Sequence, residues 1–231
     1  MVSPHQIAPG VYRVDALPIP NTISVLLLRG DNGWTLVDTG IGLSAGRIRS
    51  AMASLGAGPH DLIRIVLTHH HSDHVGGLPR LLAWAPAAEV WTSERETPIM
   101  TGSRPPDGPA NPVVGRLVAI MKVPTVPVAR TLREGDQVAG FRVIDTPGHP
   151  LGHISLLRDD GLLFTADAFG NALPRVRVGV LDSLCSDPRQ ALASAEKLIG
   201  ENVETVVFSH GPVLRSDAKG ALRAAVARAR S

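Results

Sequence analysis

Thr68-His69-His70-His71-Ser72-Asp73-His74, directly after the apolar run 63–67, decides how this chain is read. It places four histidines and one aspartate within six residues. A buried histidine is normally a lone, hydrogen-bonded residue; four beside an aspartate leave several polar groups in need of partners. A divalent metal supplies those partners together, because imidazole nitrogens and carboxylate oxygens are its preferred ligands. The competing reading is a solvated turn or a tag-like histidine run. Asp73 interrupts the run and Gly76-Gly77 follow it, which favours the metal.

The spacing carries chemistry of its own. If 65–68 is a strand running into a turn, His69 and His71 point the same way and His70 points elsewhere. Asp73 and His74 would then open a helix over 75–82 and project from a different backbone direction. That geometry suits a second metal beside the first.

Four strand-like runs each end in a metal-competent residue. Run 63–67 leads into the histidine cluster, and 141–144 into Asp145-Thr146-Pro147-Gly148-His149. Run 161–164 leads into Thr165-Ala166-Asp167, and 204–208 into Ser209-His210. In sheets covered by helices, sites form beyond strand ends, where loops converge. One such histidine would mean little; four strand ends of matching chemistry point to one site.

These motifs resemble those of metallo-β-lactamase-fold hydrolases over nearly the whole chain. The marks are Leu36-Val37-Asp38-Thr39-Gly40, His69-x-His71-x-Asp73-His74, Thr146-Pro147-Gly148-His149 with Gly152-His153, Phe164-Thr165-Ala166-Asp167, and Ser209-His210-Gly211. The resemblance implies a mixed α/β fold: a four-layer αββα sandwich of two mixed sheets flanked by helices, one domain over 1–231. It also implies that His69, His71 and His149 hold a first metal, Asp73, His74 and His210 a second, and that Asp167 bridges them. The metals expected are two zinc ions, because His71 stands where the di-iron flavoproteins of the superfamily carry a glutamate; iron and manganese are the alternatives. A shared hydroxide would then attack a carbonyl, with Asp73 orienting it.

Composition agrees with a compact enzyme. A chain of 231 residues, 44% hydrophobic, can bury a real core. The formal charge is +2 and aromatics make up 3%, with the basic residues scattered, so no nucleic-acid-binding face is expected. No signal peptide is evident before Gly10, and the run 23–28 is too short to span a bilayer, so cytoplasmic residence without membrane association is expected. The partner expected is a small-molecule substrate, and a homo-oligomer is left open. The single cysteine, Cys185, rules out an internal disulfide; it reads as a small, partly buried side chain.

Outside the motifs, a helix starts near Ser44 with Ile48, Met52 and Leu55 on one face and stops at Gly56. A second has Asp187 as N-cap, Pro188 in the first position and Gly200 as the stop, with Leu192, Ala195 and Ile199 on one face. A third is expected over 217–228. Segment 94–130, rich in proline, reads as a loop or lid bordering the active site, where Ile99, Met100, Val113, Val114 and Leu117 could meet an acyl chain. Asp38 and His153 are expected to hydrogen-bond the metal ligands from behind. Asn171, Arg175 and Arg177 could face a substrate carboxylate. His5, His60 and His70 receive no functional role.

The function expected is a dinuclear metal-dependent hydrolase acting on a small ester, thioester or lactone. A mononuclear iron dioxygenase of the persulfide type, using mainly His69, His149 and Asp167, is the alternative from another class. Hydrolysis of β-lactams is a third.

Overall fold

The apolar runs of the first half become neighbouring strands, because each can bury a face against the helices that follow it. A computed structural model describes residues 2–118, 122–172 and 175–231, the side chains of 117 and 118 excepted. Its chain contacts separate two compact units, residues 1–105 with 122–132 and residues 106–121 with 133–231.

The first unit holds a seven-stranded sheet of β1 (His5–Ala8), β2 (Val11–Asp15), β3 (Ser24–Gly30), β4 (Gly33–Val37), β5 (Leu62–Leu67), β6 (Glu89–Ser93) and β7 (Arg130–Leu132), in that order. Strands β1 to β4 pair antiparallel, and β4 to β7 parallel. Helices α1 (Ser44–Ser54), α2 (Ser72–Val75), α3 (Leu78–Trp84) and α4 (Thr97–Met100) belong to the same unit. Alternation along the strands sends Val25, Leu27, Leu36, Ile65, Leu67 and Val90 into one core with Ile48 and Met52 of α1 and Leu78 and Leu81 of α3.

The expected helix over 75–82 is two helices instead. Gly76 and Gly77 form the corner between α2 and α3, and the reason is close approach rather than unusual φ. A Cβ on Gly76 would collide with the Ser72 carbonyl oxygen, and one on Gly77 with that of Thr39. Asp73 and His74 therefore lie within α2, which His71 begins as N-cap.

The second unit holds a mixed sheet of β8 (Gln137–Val138), β9 (Phe141–Asp145), β10 (Ile154–Arg158), β11 (Leu162–Phe164) and β14 (Thr205–Val207), ordered β14-β11-β10-β9-β8. A small ribbon pairs β12 (Phe169–Gly170) with β13 (Arg177–Val178). Its helices are α5 (Pro112–Val118), α6 (Pro188–Gly200) and α7 (Ala218–Arg230). Only β11 and β14 pair parallel, through the crossover that carries α6. Ile144, Leu163, Phe169, Val206 and Phe208 pack with Ala195 and Leu198 of α6 and Leu222 and Val226 of α7.

Helix α6 begins as its sequence dictates, with the Asp187 carboxylate accepting from the amides of Arg189 and Gln190. Its buried face differs from the expected one. Ala191, Ser194, Ala195 and Leu198 are buried, whereas Leu192 and Ile199 are only partly covered, because small residues let the helix approach the sheet closely. Gly200 is the last helical residue, and Glu201 follows it in extended conformation.

Within segment 94–130, read as a loop or lid, the chain forms α4 and α5. Ile99 and Met100 sit in α4 at 3% and 0% exposure, so neither is available to an acyl chain. Val113 is exposed and Val114 half-buried; the side chain of Leu117 lies outside the described residues. Among the described residues, no helix is long and apolar enough to cross a membrane.

Candidate metal-binding residues of the two units

In the first unit the site begins where β4 and β5 end side by side. Asp38 follows β4 with φ 61°, a left-handed conformation that aspartate tolerates better than most side chains. Its amide donates to the Val66 carbonyl at 2.9 Å, which sets its carboxylate against the strand end carrying the histidines. Asp38 Oδ1 accepts from the Thr68 amide, and Oδ2 from the Thr68 hydroxyl and from His74 Nδ1, each at 2.8 Å. Thr39 closes the same corner, its hydroxyl donating to the His74 carbonyl at 2.7 Å.

This network sets ring protonation. The Thr68 hydroxyl donates to Asp38, so its oxygen can accept from His69 Nδ1 at 3.0 Å. Nδ1 of both His69 and His74 therefore carries the proton, which makes Nε2 the unprotonated nitrogen of each ring. His71, half-buried, presents Nδ1 to His69 Nε2 at 3.1 Å. The His69 and His74 ring centroids lie 3.9 Å apart, and His74 Nε2 is 3.9 Å from Asp73 Oδ2. Convergent imidazole nitrogens with a carboxylate beside them, their outer nitrogens already engaged, fit a soft-to-borderline divalent cation.

In the second unit the ligand-type residues follow β9, β11 and β14. Gly148, at φ 129°, turns the chain ahead of His149, whose Nε2 lies 3.2 Å from Asp167 Oδ2. His210 Nε2 lies 3.5 Å from the same oxygen. Two imidazoles thus share one carboxylate oxygen.

His153 stands behind Asp167. The Asp167 amide donates to His153 Nε2 at 3.0 Å, and His153 Nδ1 contacts the Thr146 hydroxyl at 2.7 Å. Thr146 contacts Ser155 at 3.0 Å, and Ser155 donates to the Thr165 carbonyl at 3.1 Å. With that last direction given, Thr146 donates to Ser155 and accepts from His153, so the tautomer of His153 follows from the chain of partners.

The remaining candidates fall in different places. The amide of Asn171 donates to the His210 carbonyl at 2.7 Å and its side chain to Pro212 at 3.1 Å, so Asn171 fastens the His210 turn. Arg175 and Arg177 line a cleft of about 340 Å³ with Arg228, over a floor that includes Val176, Val178 and Ala225. Among the described residues, the histidines and carboxylates grouped as able to hold a metal are His69, His71, Asp73 and His74 in the first unit, and His149, Asp167 and His210 in the second.

Three features escaped the sequence. His70 is buried and pairs with Glu96, at 2.8 Å between Nδ1 and Oε2. Thr68 and Thr146 relay hydrogen bonds behind the ligand-type histidines. Cys185, 2% exposed, places Sγ 3.9 Å from His149 Nδ1. No local pattern marks any of these contacts, since each joins segments distant in sequence or depends on ring orientation.

Burial first, then the charges of Asp182, Asp167 and Asp187, push the Cys185 thiol up to about 12. At pH 8 only roughly one part in ten thousand would be thiolate, against about a quarter in the unfolded chain, so iodoacetamide should label the native protein on the order of 1000-fold more slowly than the urea-unfolded chain. Equal rates would contradict this placement. An unfolded cysteine titrates near 8.5, about the ordinary value. The folded value is higher, so the thiol's contribution to stability is complete below that pH and is lost as pH rises toward the folded value.

The family model described as the metallo-beta-lactamase superfamily matches residues 18–210 and so runs through both units. The chain is 29% identical over 227 residues to a probable metallo-hydrolase, YflN, of Bacillus subtilis, covering 88% of this chain and 84% of that protein. It is 33% identical over 166 residues to a hydroxyacylglutathione hydrolase of Cupriavidus taiwanensis, covering 67% of this chain but only 52% of the relative. Among solved structures, a Cronobacter sakazakii metallo-beta-lactamase with a HARLDQ motif is similar at TM-score 0.70 and 25% identity, over 99% of this chain and 92% of that one.

Proposed function

The chain belongs to the metallo-beta-lactamase superfamily, and on that premise we propose that it is a two-metal hydrolase of a small ester, thioester or lactone. His69, His71 and His149 would hold the first metal, Asp73, His74 and His210 the second, and Asp167 would bridge them. The observation that carries this reading is the state of the rings: His69 and His74 have Nδ1 protonated and hydrogen-bonded from behind, the tautomer in which Nε2 is the ligand-type nitrogen. Zinc suits the nitrogen-rich donor set best, and iron or manganese would satisfy the same chemistry less selectively.

When bound, the two cations would supply Lewis acidity and hydroxide at neutral pH. The chain's residues do the rest. Asp73, at the half-buried start of α2, orients the nucleophile. Asp38 holds His69, through Thr68, and His74 in the required tautomers, and His153 holds the Asp167 backbone. No serine or cysteine nucleophile is needed, in keeping with the buried thiol of Cys185.

A thioester is the substrate class tested first, because the chain is similar to hydroxyacylglutathione hydrolases over two thirds of its length. Arg175 and Arg177 would receive a carboxylate or another acidic end of the substrate.

Metal content per chain, measured by elemental mass spectrometry on protein purified without chelator or added metal, tests the reading. About two zinc ions per chain are expected, followed by turnover of thioesters, then lactones, then β-lactams. About one iron with little zinc, accompanied by oxygen uptake with a persulfide, would replace the hydrolase with the mononuclear dioxygenase.

A further inference from the structure

Between the two expected ligands His69 and His71, in the turn that follows β5, sits a third histidine. His70 is 2% exposed, and its ring meets that of His71 edge-on, with centroids 5.2 Å apart and planes at 76°. On its far side is Glu96, 0% exposed, whose Oε2 lies 2.8 Å from His70 Nδ1. Glu96 is itself held firmly. Its amide donates to the Ser93 hydroxyl at 3.2 Å, and its carbonyl accepts from the Met100 amide at 2.9 Å as the N-cap of α4.

Such a pair is costly to keep. A fully buried carboxylate loses its hydration, and a pair of this kind is often no more stabilising than apolar residues of the same size. Glu96 Oε1 finds no hydrogen-bond partner among the described residues, so the carboxylate is only half satisfied. Stability alone gives little reason for it. Its place does: it grips the one residue of the cluster that has expected ligands on both sides.

We propose that Glu96 is a positioning residue for the metal ligands of the first unit, acting through its hydrogen bond to His70. The bond pins the backbone of His70, and with it the directions in which His69 and His71 leave the chain. It also ties the end of β6 and the start of α4 to the ligand turn. The proposal rests on the metal reading above.

The test is titration of the metal-free protein with Co²⁺ and Zn²⁺ against a chromophoric chelator, together with the visible spectrum of the Co²⁺ form. Glu96→Ala is expected to weaken binding about tenfold or more, as loss of an outer partner of a ligand typically does, and to alter the Co²⁺ bands. Glu96→Gln keeps an acceptor for His70 and should stay within about threefold of the parent. The double variant His70→Leu/Glu96→Leu leaves no polar group of the pair buried, so it serves if Glu96→Ala does not fold. It too should bind weakly and show altered bands, although its unfolding midpoint recovers. Parental affinity and spectrum in Glu96→Ala or the double variant would overturn the proposal, as would a Glu96→Gln protein no better than Glu96→Ala. Failure of the unsubstituted protein to bind either metal would instead sink the metal reading itself.

Discussion

Asp73→Ala is expected to lower kcat/KM for a hydrolysed thioester about 10²–10⁴-fold, the range for loss of a residue that orients or deprotonates a nucleophile. The fold should survive. Asp73 has a side chain 34% exposed, on the short helix α2, so its removal opens no cavity in the core. The urea midpoint should move little, while metal content falls toward one ion per chain. His69→Ala should abolish activity as well, with a larger loss of stability because that ring is wholly buried. An Asp73→Ala protein with full activity would end the site assignment, whatever its metal content.

Gly148→Ala is expected to act by sterics rather than chemistry. The glycine has φ 129°, outside the range that L side chains readily adopt. A Cβ there would collide with the backbone of Ala191 in the first turn of α6, which a rotamer change cannot relieve. Overpacking costs about 1–3 kcal/mol and left-handed strain about 1–2 kcal/mol, so a loss of roughly 2–5 kcal/mol is expected. Urea unfolding with an unchanged slope would read it directly. Metal content should fall too, because His149 is the next residue and moves with the turn. A Gly148→Ala protein with the parental midpoint would contradict the close approach of this turn to α6.

Local signals served well where one short segment carries the information. The N-cap of α6 was legible because Asp187-Pro188 satisfies its own first-turn amides without help from elsewhere. The ligand-type residues were legible because strand ends and the histidine spacing are written within a few residues. The choice of face on α6 was not. Leu192 and Ile199 are the larger apolar residues, but Ala191, Ser194 and Ala195 admit the sheet more closely, a preference that belongs to the surface packed against them.

Ile99 and Met100 failed for a related reason. An apolar residue in a proline-rich stretch can serve a ligand or a core, and only the packing of α4 puts both inside. Gly76-Gly77 were read as a sign that the histidine run was no tag. Their work is to let the Ser72 and Thr39 carbonyls pass where a methyl group would block them.

By itself, then, the sequence determined the family to which the chain belongs and the elements that local caps and periodicity specify, and it singled out the residues proposed to ligate metal, because those signals act over a few neighbouring residues. Tertiary structure alone decided which nitrogen of His69 and His74 carries the proton and which residues stand behind those rings. Asp38 is 36 residues from His74, and Glu96 is 26 residues from His70. A hydrogen bond across such a separation depends on how strands are laid side by side, and no local propensity records that.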